Sequence, residues 1–147
     1  MKSEMGENMK ILLICSKNFY DKIPPIKELL EEKGIEVYLP NCYDSPQTED
    51  VMRQKGEAAH QSFKAEMFRR SEKIISDMDA VMALNFDKLK DGMIYKNYIG
   101  GATFLEMYDA FRMNKTIYML NPIPEGILYD EIKGFSPVII DGDLTRM

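Results

Sequence analysis

The chain has 147 residues, 45% hydrophobic and 29% charged, the size and balance of one domain with a single core. Its 19 basic and 24 acidic side chains give a net charge of −5. No basic run exceeds a pair, which argues against a nucleic-acid polymer as partner and leaves small anionic ligands open.

Two cysteines, Cys15 and Cys42, and one histidine, His60, form neither a disulfide framework nor a zinc pattern, so no metal is expected and a reducing cytoplasm is the default. No apolar run reaches the length of a membrane span, so no membrane partner is expected. Residues 1–9 are polar, lack the apolar stretch of a leader, and read as a loose lead-in to a single domain over 10–147.

Lys10-Ile11-Leu12-Leu13-Ile14-Cys15 is a short apolar run rich in branched residues, the pattern of a strand buried on both faces. Over 23–33, Ile23, Ile26, Leu29 and Leu30 recur at helical spacing, with Pro24 and Pro25 at the start and Gly34 just past the end. Residues 35–39 alternate up to Pro40 and give a second strand, so the chain opens as a βαβ unit. From 41 to 61 it is polar and charged, with a turn signal at Ser45-Pro46, and predicts a mobile or ligand-covering excursion. A helix over 62–76 presents Phe63, Met67, Ile74 and Ile75 to the sheet, and 79–85 form a third strand. A loop rich in Lys, Asp, Gly and Tyr fills 86–102. A helix over 104–111, a fourth strand over 116–120, a short helix near 127–133 and a fifth strand over 137–140 complete the chain.

Strands alternating with helices through right-handed crossovers predict a parallel sheet covered on both faces. The fold class is a flavodoxin-like or Rossmann-like three-layer α/β sandwich with five parallel strands in the order 2-1-3-4-5. Such sheets bind ligands beyond the carboxyl ends of the strands, near the switch between the first and the third. That rule selects Ser16, Phe19 and Tyr20 after the first strand, Asn85 and Asp87 after the third, and Asn121 after the fourth. It also selects Tyr98, Gly100, Gly101 and Thr103 ahead of the following helix, where absent Cβ atoms and free N–H groups suit close approach of an anion. No G-x-G-x-x-G follows the first strand, so a dinucleotide fingerprint is missing. Asp77 and Asp79 fall at the amino edge and read as turn residues, Cys15 as a small buried apolar group and His60 as solvent-exposed.

Glu106 is the candidate catalytic group, a carboxylate in the first turn of a helix at the ligand edge, with Asp87 as a possible assistant on the same edge. The spacing Thr103-x-x-Glu106 also matches a capping box, in which Thr103 is the N-cap and Glu106 turns back to its N–H. Both readings stand on the spacing alone.

Three ordered segments carry a resemblance: Ile75-x-Asp77-x-Asp79-Ala80-Val81, Tyr98-Ile99-Gly100-Gly101-Ala102-Thr103-x-x-Glu106-Met107, and Lys115-x-Ile117-Tyr118-x-Leu120-Asn121-Pro122. Together the sequence resembles the nucleoside 2-deoxyribosyltransferase family, in particular its prokaryotic members with a Tyr-Ile-Gly-Gly-x-Thr-x-x-Glu-Met segment. The likeness runs from the first strand to Gly142-Asp143-Leu144. It implies an N-glycosyl-bond enzyme of nucleoside or nucleotide metabolism, transferring a deoxyribosyl group or hydrolysing the N-glycoside, with Glu106 as nucleophile. It further implies a small-molecule nucleoside or nucleotide substrate, no cofactor, and a homodimer or larger homo-oligomer. An aromatic after the first strand orients the nucleophile in that family, and Phe19 and Tyr20 lie near its place. The chain departs from the family where an acid is expected: Gly100 stands about six residues before the glutamate, and the upstream acid aligns near Arg70-Ser71-Glu72. The alternative is a nucleotide-binding or sensing module without chemistry. A flavin binder is disfavoured, because no Ser/Thr-rich phosphate loop follows the first strand.

Overall fold

The apolar run that opens the domain is the central strand of the sheet, with Ile11, Leu13 and Ile14 fully buried in the computed structural model, which describes residues 8–147. This strand, β1 (Lys10–Ile14), pairs in parallel with β2 (Glu36–Tyr38) on one side and β3 (Ala80–Ala83) on the other. The expected lead-in lies mostly outside the described residues. Met9 at its end already joins the sheet region, its carbonyl accepting from the Glu36 N–H at 2.8 Å.

Helix α1 (Ile23–Glu32) follows β1, with proline in its first turn and Gly34 beyond its end at φ 83°. The polar stretch after β2, expected as a mobile or ligand-covering excursion, is largely helical: it holds α2 (Thr48–Gln54) and the start of α3 (Glu57–Ser76). Its regularity lies in charge rather than in apolar spacing. Arg53 pairs with Glu49 four residues back and Asp50 three back, while α2 buries no residue at all. Gly56, at φ 122°, makes the corner from which α3 starts five residues earlier than the apolar pattern suggests.

Between β3 and the next helix the chain forms an antiparallel hairpin, β4 (Lys88–Lys90) and β5 (Met93–Tyr95), where a loop was expected. Asp91 and Gly92 turn it with φ of 52° and 75°, the left-handed pair that suits the twist of two strands. Helix α4 (Gly101–Arg112), β6 (Thr116–Met119), α5 (Tyr129–Gly134) and β7 (Val138–Ile139) follow. The sheet order is β2-β1-β3-β6-β7, all parallel, which is 2-1-3-4-5 counted over the parallel strands alone. The fold is a flavodoxin-like three-layer α/β sandwich.

Alternation along the strands divides the core in two. Ile11, Leu13, Ala80 and Met82 face α1 through Ile23 and Leu30. Leu12, Ile14, Val81 and Ala83 face α3, α4 and α5 through Ile75, Met107 and Ile132. At the amino edge the Asp79 carboxylate accepts from the Lys10 N–H at 2.8 Å and joins β1 to β3. At the carboxyl edge β1 leads to one face and β3 to the other, so the chain parts there and leaves a cleft. Among the described residues no helix is long and apolar enough to cross a membrane.

Candidate active site

The cleft is a cavity of about 440 Å³. Its floor is the end of β1 at Cys15 and Ser16 with the first turns of α4, and its walls are the turn after β2, α2, the middle of α3 and the hairpin base at Lys88 and Tyr98. Ser16 ends β1 locally: its Oγ accepts from the Asn18 N–H at 3.3 Å and caps a 3-10 turn over Lys17–Lys22.

Helix α4 begins at Gly101 with Gly100 as its N-cap, so Thr103 lies inside the first turn, buried, and does not cap the helix. The capping-box reading of Glu106 therefore fails: its carboxylate is one turn too far along to return to the cap. Instead Glu106 Oε2 accepts from Ser71 Oγ of α3 at 2.9 Å. Ser71, itself buried, accepts in turn from Asn41 Nδ2 at 2.7 Å, and the Asn41 carbonyl accepts from the Tyr20 hydroxyl at 2.8 Å. Three separate elements thus hold one carboxylate.

Burial is the chief influence on Glu106 and pushes its carboxyl up to about 7. The Ser71 hydrogen bond opposes this, the Asp109 charge adds to it, and Lys64 opposes it. Cys15, beside it, is pushed up to about 12 by burial and by the Glu106 charge, so its thiol stays protonated. Tyr20 is raised as well, first by burial.

A second carboxylate, Glu49 of α2, lies in the cavity wall. It meets His60 Nε2 at 2.9 Å, Arg53 at 3.2 Å and Lys64 at 3.7 Å. Burial works against its charge, but the His60 hydrogen bond together with Lys64 and Arg53 outweighs that and holds it below its ordinary value. Glu49 is an ionised tether between α2 and α3. His60 is accordingly half-buried and bonded rather than solvent-exposed.

Of the residues selected by their place at the carboxyl edge, Ser16, Tyr20, Tyr98, Gly100, Gly101, Thr103 and Glu106 line the cavity. The other four do not. Phe19 is buried, edge-on to Phe86 and Tyr98 with centroids 5.5 and 6.5 Å away. Asn85 is fully buried and bonded to Asn121: its Nδ2 donates to the Asn121 and Pro122 carbonyls, and its Oδ1 accepts from the Asn121 N–H. Asp87 accepts from the Asn97 N–H at 2.9 Å and closes the hairpin base.

Sequence reasoning missed Glu49, Ser71 and the cations Arg53 and Lys64, which line the cavity together with Lys17 and Lys88 of the carboxyl-edge loops. The i,i+4 pair Glu49 and Arg53 was a legible helix signal, and Asp91-Gly92 a legible hairpin signal. Nothing local marks Ser71, whose role comes from the crossing of α3 over α4. Phe63 and Met67 also face the cavity rather than the sheet.

Chemically, the arrangement offers one carboxylate in a partly desolvated floor, a neutral hydroxyl and amide that orient it, and a cationic rim. Among the described residues no three His, Cys, Asp or Glu side chains come together as a metal-ligand set. No protein-family model and no curated protein matches the chain.

Proposed function

We propose that the cavity is the substrate site of an N-glycosyl-bond enzyme acting on a nucleoside or nucleotide, with Glu106 as its nucleophile. The observation that carries this reading is the presentation of Glu106: its carboxylate is turned to the cavity floor and hydrogen-bonded by Ser71, not spent on capping α4. The resemblance of the Tyr98-to-Met107 segment to the nucleoside 2-deoxyribosyltransferases supports the same role.

In the proposed reaction a Glu106 oxygen attacks the anomeric carbon as the C–N bond breaks, and the electron pair leaves with the base, which takes up a proton from solvent water. A second base or water then displaces the carboxylate. Ser71 steadies the attacking oxygen's partner, which shortens the search for the reactive geometry. The attacking form is the carboxylate, so turnover rises with pH through about 7. The reading includes a homodimer. Leu89 and Ile94, 73% and 67% exposed on the hairpin, are apolar groups that a partner chain would cover, and light scattering tests the assembly.

The deciding assay incubates the protein with deoxynucleosides and their monophosphates, with and without an acceptor base, and follows free base by chromatography. Base release or exchange is expected, reduced roughly a thousandfold or more in Glu106→Gln and Glu106→Ala. Turnover at the wild-type rate in both variants refutes the nucleophile. A second reading, a nucleotide-binding module without chemistry, draws support from Glu49, whose tethering to His60, Arg53 and Lys64 leaves the cavity without a spare proton-donating carboxyl. Tight nucleotide binding with no turnover decides for it.

A further inference from the structure

Ser71 carries a single hydroxyl proton, and a serine inside a helix ordinarily gives it to the carbonyl four residues back, which in α3 is that of Met67. Instead the proton goes to Glu106 Oε2 at 2.9 Å. The cause lies outside α3. Asn41, in the turn after β2, sets its Nδ2 2.7 Å from Ser71 Oγ and 3.3 Å from the Met67 carbonyl oxygen. One amide hydrogen thus covers the rival acceptor, and the other is accepted by the Ser71 oxygen. The Ser71 O–H is left to point at Glu106.

The sense of that amide is fixed by its neighbours. A carbonyl only accepts, so the side of Asn41 that faces Met67 must be its nitrogen. The backbone beneath it is held independently of the side chain: the Asn41 carbonyl accepts from the Tyr20 hydroxyl at 2.8 Å, and the Pro40 carbonyl accepts from the Tyr43 N–H at 3.2 Å. Cys42, between them, sits at φ 59°. The turn is therefore a mount for the amide. Resting on the proposed N-glycosyl reading, we infer that Asn41 is a positioning residue of the site: acting through Ser71, it fixes that hydroxyl as donor to Glu106 and holds the nucleophile's carboxylate in one orientation at the cavity floor.

A hydroxyl donated to a carboxylate favours its charged form, so the amide that directs the Ser71 proton also works against the burial of Glu106. The other groups that bear on Glu106 come from each element around it: Cys15 after β1, Tyr20 in the 3-10 turn, Lys64 on α3 and Asp109 on α4. Cys15 and Tyr20, both pushed up first by burial, carry no charge where Glu106 titrates. Asp109 and Lys64 act on it in opposite senses. Lys17, Glu49, Arg53 and Lys88 complete the charges that line the cavity. Among these influences the Ser71 bond is second only to burial, and Asn41 governs it.

The test uses the full chain without substrate, labelled with carbon-13 at the glutamate side-chain carboxyls and with nitrogen-15. NMR follows the Glu106 signal, identified by its loss in Glu106→Gln, as pH is raised. Asn41→Leu keeps the side chain's volume and the backbone carbonyl for Tyr20 but has no donor, and Asn41→Ala removes the amide outright. In each, the Glu106 midpoint is expected to rise by about one pH unit, so that the ionised fraction at pH 6 falls about tenfold. In a Ser71→Ala background the same substitutions are expected to move it by less than about 0.3 unit. A midpoint unmoved in either folded variant, or moved equally with and without Ser71, overturns the role. The wild-type protein supplies a check that needs no substitution: the Asn41 side-chain N–H signals are expected to shift with the Glu106 midpoint, and signals indifferent to pH across it overturn the role as well. The two readings fail separately. A midpoint set by Asn41 through Ser71, with no base release by the wild-type protein, keeps the positioning and refutes the chemistry, whereas Glu106-dependent base release with an unmoved midpoint does the reverse.

Discussion

Replacing Glu106 by Gln keeps the shape of the side chain and its acceptor for the Ser71 hydroxyl, but removes an ionisable group from a site that disfavours charge. Burial raises the Glu106 carboxyl from 4.5 to about 7, so the folded protein holds that proton more tightly than the unfolded chain does. The sign follows directly. Below pH 4.5 the carboxyl is neutral in both states and costs nothing; as pH climbs towards 7 the unfolded chain ionises freely while the folded one does not. Above 7 the full penalty is present. Its size is about 3 kcal/mol, from 1.36 kcal/mol per unit of pKa difference. Urea unfolding followed by circular dichroism, at pH 5 and pH 8, reads this out. Wild-type stability is expected to fall relative to Glu106→Gln by about 2–3 kcal/mol between the two pH values, with the slope of each transition unchanged. In thermal melts at pH 8 the variant is expected to melt roughly 5–10 °C higher. Stability curves for the two proteins that run parallel from pH 5 to 8 would refute the desolvated-carboxylate account. The measurement needs no substrate, so it tests the site apart from its proposed reaction.

Two further expectations follow from the same contacts. Ser71→Ala removes the hydrogen bond that favours the charged form of Glu106, so the acidic limb of the base-release profile moves up by about one pH unit. Loss of rate at pH 6 with little loss at pH 9 supports this, and an unshifted limb counts against it. Asn85→Ala strips three hydrogen bonds from a fully buried clamp and leaves the Asn121 N–H and carbonyl unanswered, for a cost of about 2–4 kcal/mol in urea unfolding. A cost under 1 kcal/mol would mean that water or a rearranged turn replaces those bonds.

The sequence alone dictates the sheet, its strand order and the edge that carries the cleft. Continuous apolar runs at β1 and β3 are unmistakable because both faces of a central parallel strand are dry, and right-handed crossovers leave few arrangements for five such strands. It also located the Gly100-to-Glu106 segment at the cleft, since glycine pairs before a helix and a carboxylate within it are local signals. What stayed illegible depends on contacts between residues far apart in the chain. The capping-box spacing of Thr103 and Glu106 is a real local preference, but the helix starts two residues before Thr103 and Ser71, thirty-five residues away, claims the carboxylate. Asn85 and Asn121 read as ligand-facing polar groups until their strands lie side by side and each satisfies the other. Helix α2 escaped notice because it buries nothing, so apolar periodicity, the main sequence signal, is silent there. Local composition fixes which segments are buried. Only the tertiary packing of α2, α3 and the hairpin around the sheet edge decides which charges share the cavity with Glu106, and that choice of neighbours sets both its proton affinity and the ligand it can hold.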